Sequence, residues 1–133
     1  MERILGLDIG TKRIGVAMSD ALGIIAQPNC VIMRTSDEIA IQKIKEICIA
    51  NNAKKIVVGL PKNMNGTIGP QAENCIEFTK QLEEYEIIFE DERLTSKQAE
   101  MILKDLNKKY TKDKGQVDIK SACIILQQYL DRS

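Results

Sequence analysis

A single carboxylate inside an apolar run is where chemistry first suggests itself in this sequence. Leu5-Gly6-Leu7-Asp8-Ile9-Gly10 sets Asp8 among residues that bury, and Gly10 turns the chain directly after it; a second apolar run then ends at Asp20. A charge within a buried strand is costly unless something pairs with it. Beside a glycine turn, a metal ion or a phosphate is the expected partner. Two more carboxylates stand at comparable places: Glu92 just past Ile87-Ile88-Phe89, and Asp118 in Val117-Asp118-Ile119. Functional groups in an α/β sheet gather where strands end and helices begin, so three acids from distant segments can converge. Once gathered they repel unless cations neutralise them. Histidine is absent from the chain, which removes histidine bases, triads and ligands together. Oxygen ligands alone suit Mg2+ or Mn2+. Two such ions about 4 Å apart are a standard device for phosphodiester hydrolysis, one activating water and the other stabilising the leaving oxygen.

Each acid also has a plainer reading. Asp118 can be a favourable charge at a helix N-terminus, Glu92 a solvated loop charge next to Asp91 and Arg93, and Asp20 a turn residue or an auxiliary carboxylate. Asp8 is the hardest to explain that way, because Leu7 and Ile9 flank it. Lys12, Arg13 and Arg93 lie beside the proposed ligands and would hold phosphates without reading sequence; exposed turn charges, or an Arg93 paired to Asp91 or Glu92, are the alternatives. Asn63 and Asn65, in the Pro-, Gly- and Asn-rich loop 60–70, offer carboxamides to sugar or phosphate.

These residues need a frame to position them. The apolar runs predict strands at 3–9, 14–19 and 24–34, the last interrupted by Pro28, then short strands at 55–59 and around Ile87-Ile88-Phe89. A short turn at Gly10 makes the first two an antiparallel hairpin. Helical spacing predicts a helix near 37–51, opened by a Thr35/Glu38 capping box, and another at 71–84 with Ala72, Cys75, Phe78 and Leu82 on one face. A third helix is expected after Thr95. A polar lysine-rich loop at 107–116 leads to a last helix at 117–131, which buries Ile119, Cys123, Leu126 and Leu130. The order β-β-β-α-β-α-β-α-α predicts an α/β fold, a mixed five-stranded sheet flanked by helices.

The chain has 133 residues, enough for one domain spanning 1–133. Its hydrophobic and charged fractions are 44% and 29%, ordinary for a globular domain, and no run is long enough to cross a bilayer. A strand begins almost at the N-terminus, leaving no room for a signal peptide, so a cytoplasmic protein is expected. Cys30, Cys48, Cys75 and Cys123 are widely spaced and predict small reduced core residues rather than a zinc site. Nineteen basic against nineteen acidic residues argue against wholesale coating of nucleic acid. A local guide is still open, since residues 104–120 carry six lysines against three acids.

The sequence resembles the YqgF family, also called RuvX-type Holliday junction resolvases or pre-16S rRNA nucleases. Four motifs carry the resemblance in order: Leu5 to Ala17; Val58-Gly59-Leu60-Pro61 with Asn63-Met64, Gly66-Thr67 and Gly69-Pro70; Asp91-Glu92-Arg93-Leu94-Thr95-Ser96; and Val117-Asp118 with Ala122 and Ile125-Leu126-Gln127. It departs at Lys62, where an apolar residue is expected, at Asn65 in place of aspartate, and at Ser121 in place of alanine. The resemblance implies an RNase H-like fold and a metal-dependent nuclease site carried by Asp8, Glu92 and Asp118, with Asp91 the alternative to Glu92. It also implies a nucleic-acid partner, either pre-rRNA within a ribosomal precursor particle or branched DNA. Cutting a four-way junction symmetrically needs a homodimer, whereas trimming rRNA needs one site in a monomer.

Two other classes compete. Asp8-Ile9-Gly10-Thr11 also resembles the phosphate loop of sugar kinases, actins and heat-shock ATPases. Those proteins close a second domain over ATP, for which this chain is too short. A non-catalytic nucleic-acid-binding module is the other alternative; the presence of all three acids weighs against it.

Overall fold

The computed structural model describes residues 2–61, 65–91 and 114–132. Among these residues, five strands form one sheet: β1 (Arg3–Ile9), β2 (Arg13–Ser19), β3 (Ala26–Met33), β4 (Ala53–Leu60) and β5 (Glu86–Asp91). Among the described residues, three helices flank it: α1 (Asp37–Ala50), α2 (Pro70–Thr79), which runs into a 3-10 turn at Lys80–Leu82, and α3 (Lys114–Arg132). The spatial order is β3-β2-β1-β4-β5. β1, β2 and β3 form the antiparallel meander, while β4 and β5 add parallel to β1. The expected mixed five-stranded sheet is therefore present. The helix expected after Thr95 lies outside the described residues.

β1 is apolar almost throughout because both its faces are covered. Leu5, Leu7 and Ile9 point into a core shared with Ile14, Val16, Ile56 and Val58 of the sheet, Ile41, Ile44 and Cys48 of α1, and Cys75 and Phe78 of α2. The opposite face carries α3, whose Ala122, Ile125, Leu126 and Leu130 pack on Ala17 and Val57. Gly6 lies on that face: a Cβ there would come within 2.7 Å of Leu126 Cβ. Its glycine lets the helix seat closely on the central strand.

Several boundaries differ from the sequence expectation. Ser36, not Thr35, caps α1: its Oγ accepts from the Ile39 amide at 3.2 Å. The regular turns of α2 stop at Thr79, and Leu82 reaches the core from the 3-10 turn instead. α3 begins at Lys114, so Lys114, Gly115 and Gln116 are helical rather than the end of a polar loop. Glycine and lysine content reads as loop locally, but a helix docked along the sheet extends past weak residues. All four cysteines are free, with Cys48 and Cys75 buried and Cys30 and Cys123 half-buried. Burial pushes the Cys48 thiol up to about 11, in keeping with a packing role.

Candidate active site

The site forms where β1 ends, β2 begins and α3 starts. Asp8 pairs across the hairpin with Gly15, and the Cβ positions of directly opposed residues lie about 4.5–5.5 Å apart on one face. Gly6 faces α3, so Asp8, two residues on, faces it as well. A Cβ on Gly15 would lie 2.0 Å from the Asp118 carbonyl oxygen. The absent side chain is thus the reason the first turns of α3 can rest on the hairpin. Through Gly15, the backbone of Asp118 comes to rest on the strand pair that carries Asp8.

Arg13 completes this corner. It shares the pleat face of Gly15, and its Nε donates to Asp118 Oδ2 at 2.8 Å, both side chains being about a quarter exposed. Arg13 is therefore not the freely exposed turn charge of the plainer reading, and Asp118 is more than a dipole partner for its own helix. Lys12 is exposed at the tip of the turn. Glu92, Arg93 and Asn63 lie outside the described residues.

β5 bears on the choice between Asp91 and Glu92. Ile88 packs toward α3 and Ile87 toward the α1–α2 core. Alternation then puts Glu90 on the α3 face and Asp91 on the other. Glu90 is buried and held by Arg132, with Nη1 donating to Oε2 at 2.9 Å and Nη2 to Oε1. Its carboxylate is committed to joining the last strand to the end of α3. Asp91 follows on the opposite face of the strand.

Two candidates from the sequence serve the scaffold instead. Asp20 lies at the far end of β2, where its Oδ1 accepts from the Ile24 and Ile25 amides at 2.7 and 3.2 Å. It is the turn residue, not an auxiliary ligand. Asn65 Oδ1 accepts from the Thr67 amide at 3.1 Å and the Thr67 hydroxyl at 2.6 Å, a local turn that occupies its carboxamide oxygen. Gln127, in the fourth motif, brackets the β2–β3 loop by donating to Ile24 O at 2.9 Å and accepting from Ala26 N at 2.8 Å.

The sequence reading missed the residues that hold the turn after Asp8. Arg34 Nη1 donates to Gly10 O at 2.9 Å, and Gln71 Nε2 to Ile9 O at 3.2 Å. Neither has a local signal, since their partners lie 24 and 62 residues away.

Comparison with known proteins places this arrangement. Residues 2–132 match the family described as RuvX: Holliday junction resolvase. The chain belongs to the RuvX family. A relative from Clostridium beijerinckii, "Putative pre-16S rRNA nuclease", is 48% identical over 132 residues, covering 97% of this chain and 96% of the relative. One of the same name from Caldanaerobacter subterraneus subsp. tengcongensis is 47% identical over 133 residues, covering 97% and 96%. Among solved structures, T. thermophilus RuvC in complex with Holliday junction substrate matches at a TM-score of 0.62 and 9% identity, covering 99% of this chain and 96% of that one. The fowlpox virus Holliday junction resolvase matches at 0.59 and 14%, covering 98% and 99%. At such identities the likeness is one of fold, and it bears out the RNase H-like expectation. Membership of RuvX makes the chain an enzyme of the nuclease class, and so favours that reading over the kinase-like and non-catalytic ones.

Proposed function

We propose that this RuvX-family protein is a divalent-metal-dependent endonuclease of the cytoplasm. Its proposed substrate is the precursor at the 5′ end of 16S rRNA, with Asp8, Glu92 and Asp118 as metal ligands. The observation that carries the reading is the junction at Gly15, which sets Asp8 and the Asp118 turn side by side on the α3 face. The donors present fit Mg2+ or Mn2+: they are hard carboxylate oxygens, in a chain without histidine whose thiols are spent on packing. Bound there, such ions would lower the pKa of water and neutralise the charge growing on the leaving oxygen.

The protein's own part is binding and positioning. Asp8 is carried on the central strand of the sheet and cannot drift, so it fixes where the scissile phosphate must come. Arg13 orients the Asp118 carboxylate through Nε. Lys12, at the exposed tip of the same turn, reaches outward to the substrate backbone, with Arg93 and Asn63 as further contacts. Such contacts grip phosphate and sugar without selecting bases, so selectivity rests on the shape of the RNA or on the precursor particle.

Cleavage of a four-way DNA junction is the second reading, favoured by the family description and by the fold shared with junction resolvases. The test offers both substrates to the purified protein with Mg2+ or Mn2+ and maps the cut ends. Accurate trimming of the rRNA precursor with no paired junction nicks supports the first reading. Symmetric nicks in the junction, with the rRNA left intact, transfer the function to the second.

A further inference from the structure

Arg34 makes more bonds than a surface arginine needs. Its side chain is only 7% exposed. Nε donates to Asp37 Oδ1 at 2.8 Å and Nη2 to Asp37 Oδ2 at 3.4 Å, binding the start of α1. Nη1 reaches Asn74 Oδ1 of α2 at 2.9 Å and Gly10 O of the β1–β2 turn at 2.9 Å. The guanidinium also lies over the Phe78 ring, 4.7 Å from its centroid. Two helices and the turn thus meet on one planar group.

The turn itself is gripped from several sides. Beyond the Gly10 contact, the Arg34 amide donates to Lys12 O at 2.9 Å, and within the turn the Gly10 amide donates to Arg13 O at 2.9 Å. From α2, Gln71 Nε2 and Cys75 Sγ approach Ile9 O at 3.2 and 3.7 Å. The carbonyls of the two residues after Asp8 are therefore both anchored from outside the hairpin. The segment so fixed is the one that bears Lys12 and Arg13.

We propose that Arg34 is a positioning residue for nucleic-acid binding: by clamping residues 10–13 it presents Lys12 to the phosphate backbone in one arrangement. This deepens the proposed function and rests on it. A turn already ordered loses less conformational freedom when ligand binds. Lysine cannot replace the arginine, because a point charge cannot bond Asp37, Asn74 and Gly10 together while stacking on Phe78.

The test measures binding of a labelled RNA spanning the 5′ precursor end of 16S rRNA, alongside amide hydrogen exchange at Gly10 and Arg34 and thermal stability. Losing one charge-assisted hydrogen bond, passed on to binding, is expected to weaken affinity about ten-fold in Arg34→Met. Arg34→Lys should fail to restore it, and both amides should exchange faster in either variant. Asp37→Ala removes only an exposed arm of the network and should keep affinity within about two-fold. In the Lys12→Ala background, Arg34→Met should add little, because the two act through one turn. Arg34→Met that lowers the melting temperature yet leaves affinity and exchange at wild-type values overturns the proposal, as does full additivity with Lys12→Ala. If the wild type binds neither this RNA nor a DNA junction, the nuclease reading fails. The exchange rates then still decide whether Arg34 holds the turn.

Discussion

Asp8 and Asp20 begin as the same kind of observation, an acid at the end of an apolar run, and the structure gives them opposite tasks. Asp8 faces α3 beside Gly15, whereas Asp20 folds onto its own loop and accepts the Ile24 and Ile25 amides. Those two hydrogen bonds hold the Asp20 carboxyl below its ordinary value of 3.8. A lowered folded pKa stabilises the protein above the unfolded value, and the benefit is lost as pH falls through the folded one. Asp20→Asn keeps the side-chain shape and removes the charge. Thermal melts of both proteins against pH should show a gap at neutrality that narrows below 3.8. Sequence alone leaves the two roles open, because which acid meets an amide and which meets a helix depends on the end of the sheet each occupies.

At the scale of elements, the approach of α3 to the hairpin is governed by Gly15. A methyl group there meets a backbone carbonyl at 2.0 Å, which no rotamer change relieves. Gly15→Ala should cost about 1–3 kcal/mol or more and abolish cleavage, because α3 carries Asp118 away as it shifts. Gly23→Ala is the contrasting case: its φ is +72° with open space around it, so it should cost about 1 kcal/mol and leave activity intact. Denaturant titration and a cleavage assay separate the two. The other end of α3 is tied by Arg132 to the buried Glu90. Arg132→Ala strands a buried carboxylate and should cost about 2–3 kcal/mol, discounted for the half-exposed arginine, while Glu90→Gln should cost less. Equal losses in urea titrations would contradict this asymmetry. The strands of this scaffold were legible as apolar runs, and α1 as a 3.6-residue period. The Ser36 cap, the early end of α2 and the start of α3 at Lys114 were not, because tertiary docking sets them.

For the whole molecule, the architecture follows from burial: a sheet covered on both faces, with its central strand delivering a carboxylate to one end. The motif order made the family legible from sequence, since four short signatures rarely fall in register by chance. The reach of Arg34 to Gly10 and Asn74 and the Glu90–Arg132 tie were invisible there, because each joins residues at least 24 apart with no periodic pattern. The central claim is that Asp8 anchors metal-dependent phosphodiester cleavage. Its most direct test is cleavage of the 16S rRNA precursor by wild type and Asp8→Asn, with Mg2+ and with the metal chelated. Wild type should cut only with the ion present, and Asp8→Asn should be slower by at least about 10²-fold while melting near the wild-type temperature. Cleavage by Asp8→Asn at the wild-type rate, or undiminished cleavage after chelation, would contradict the account.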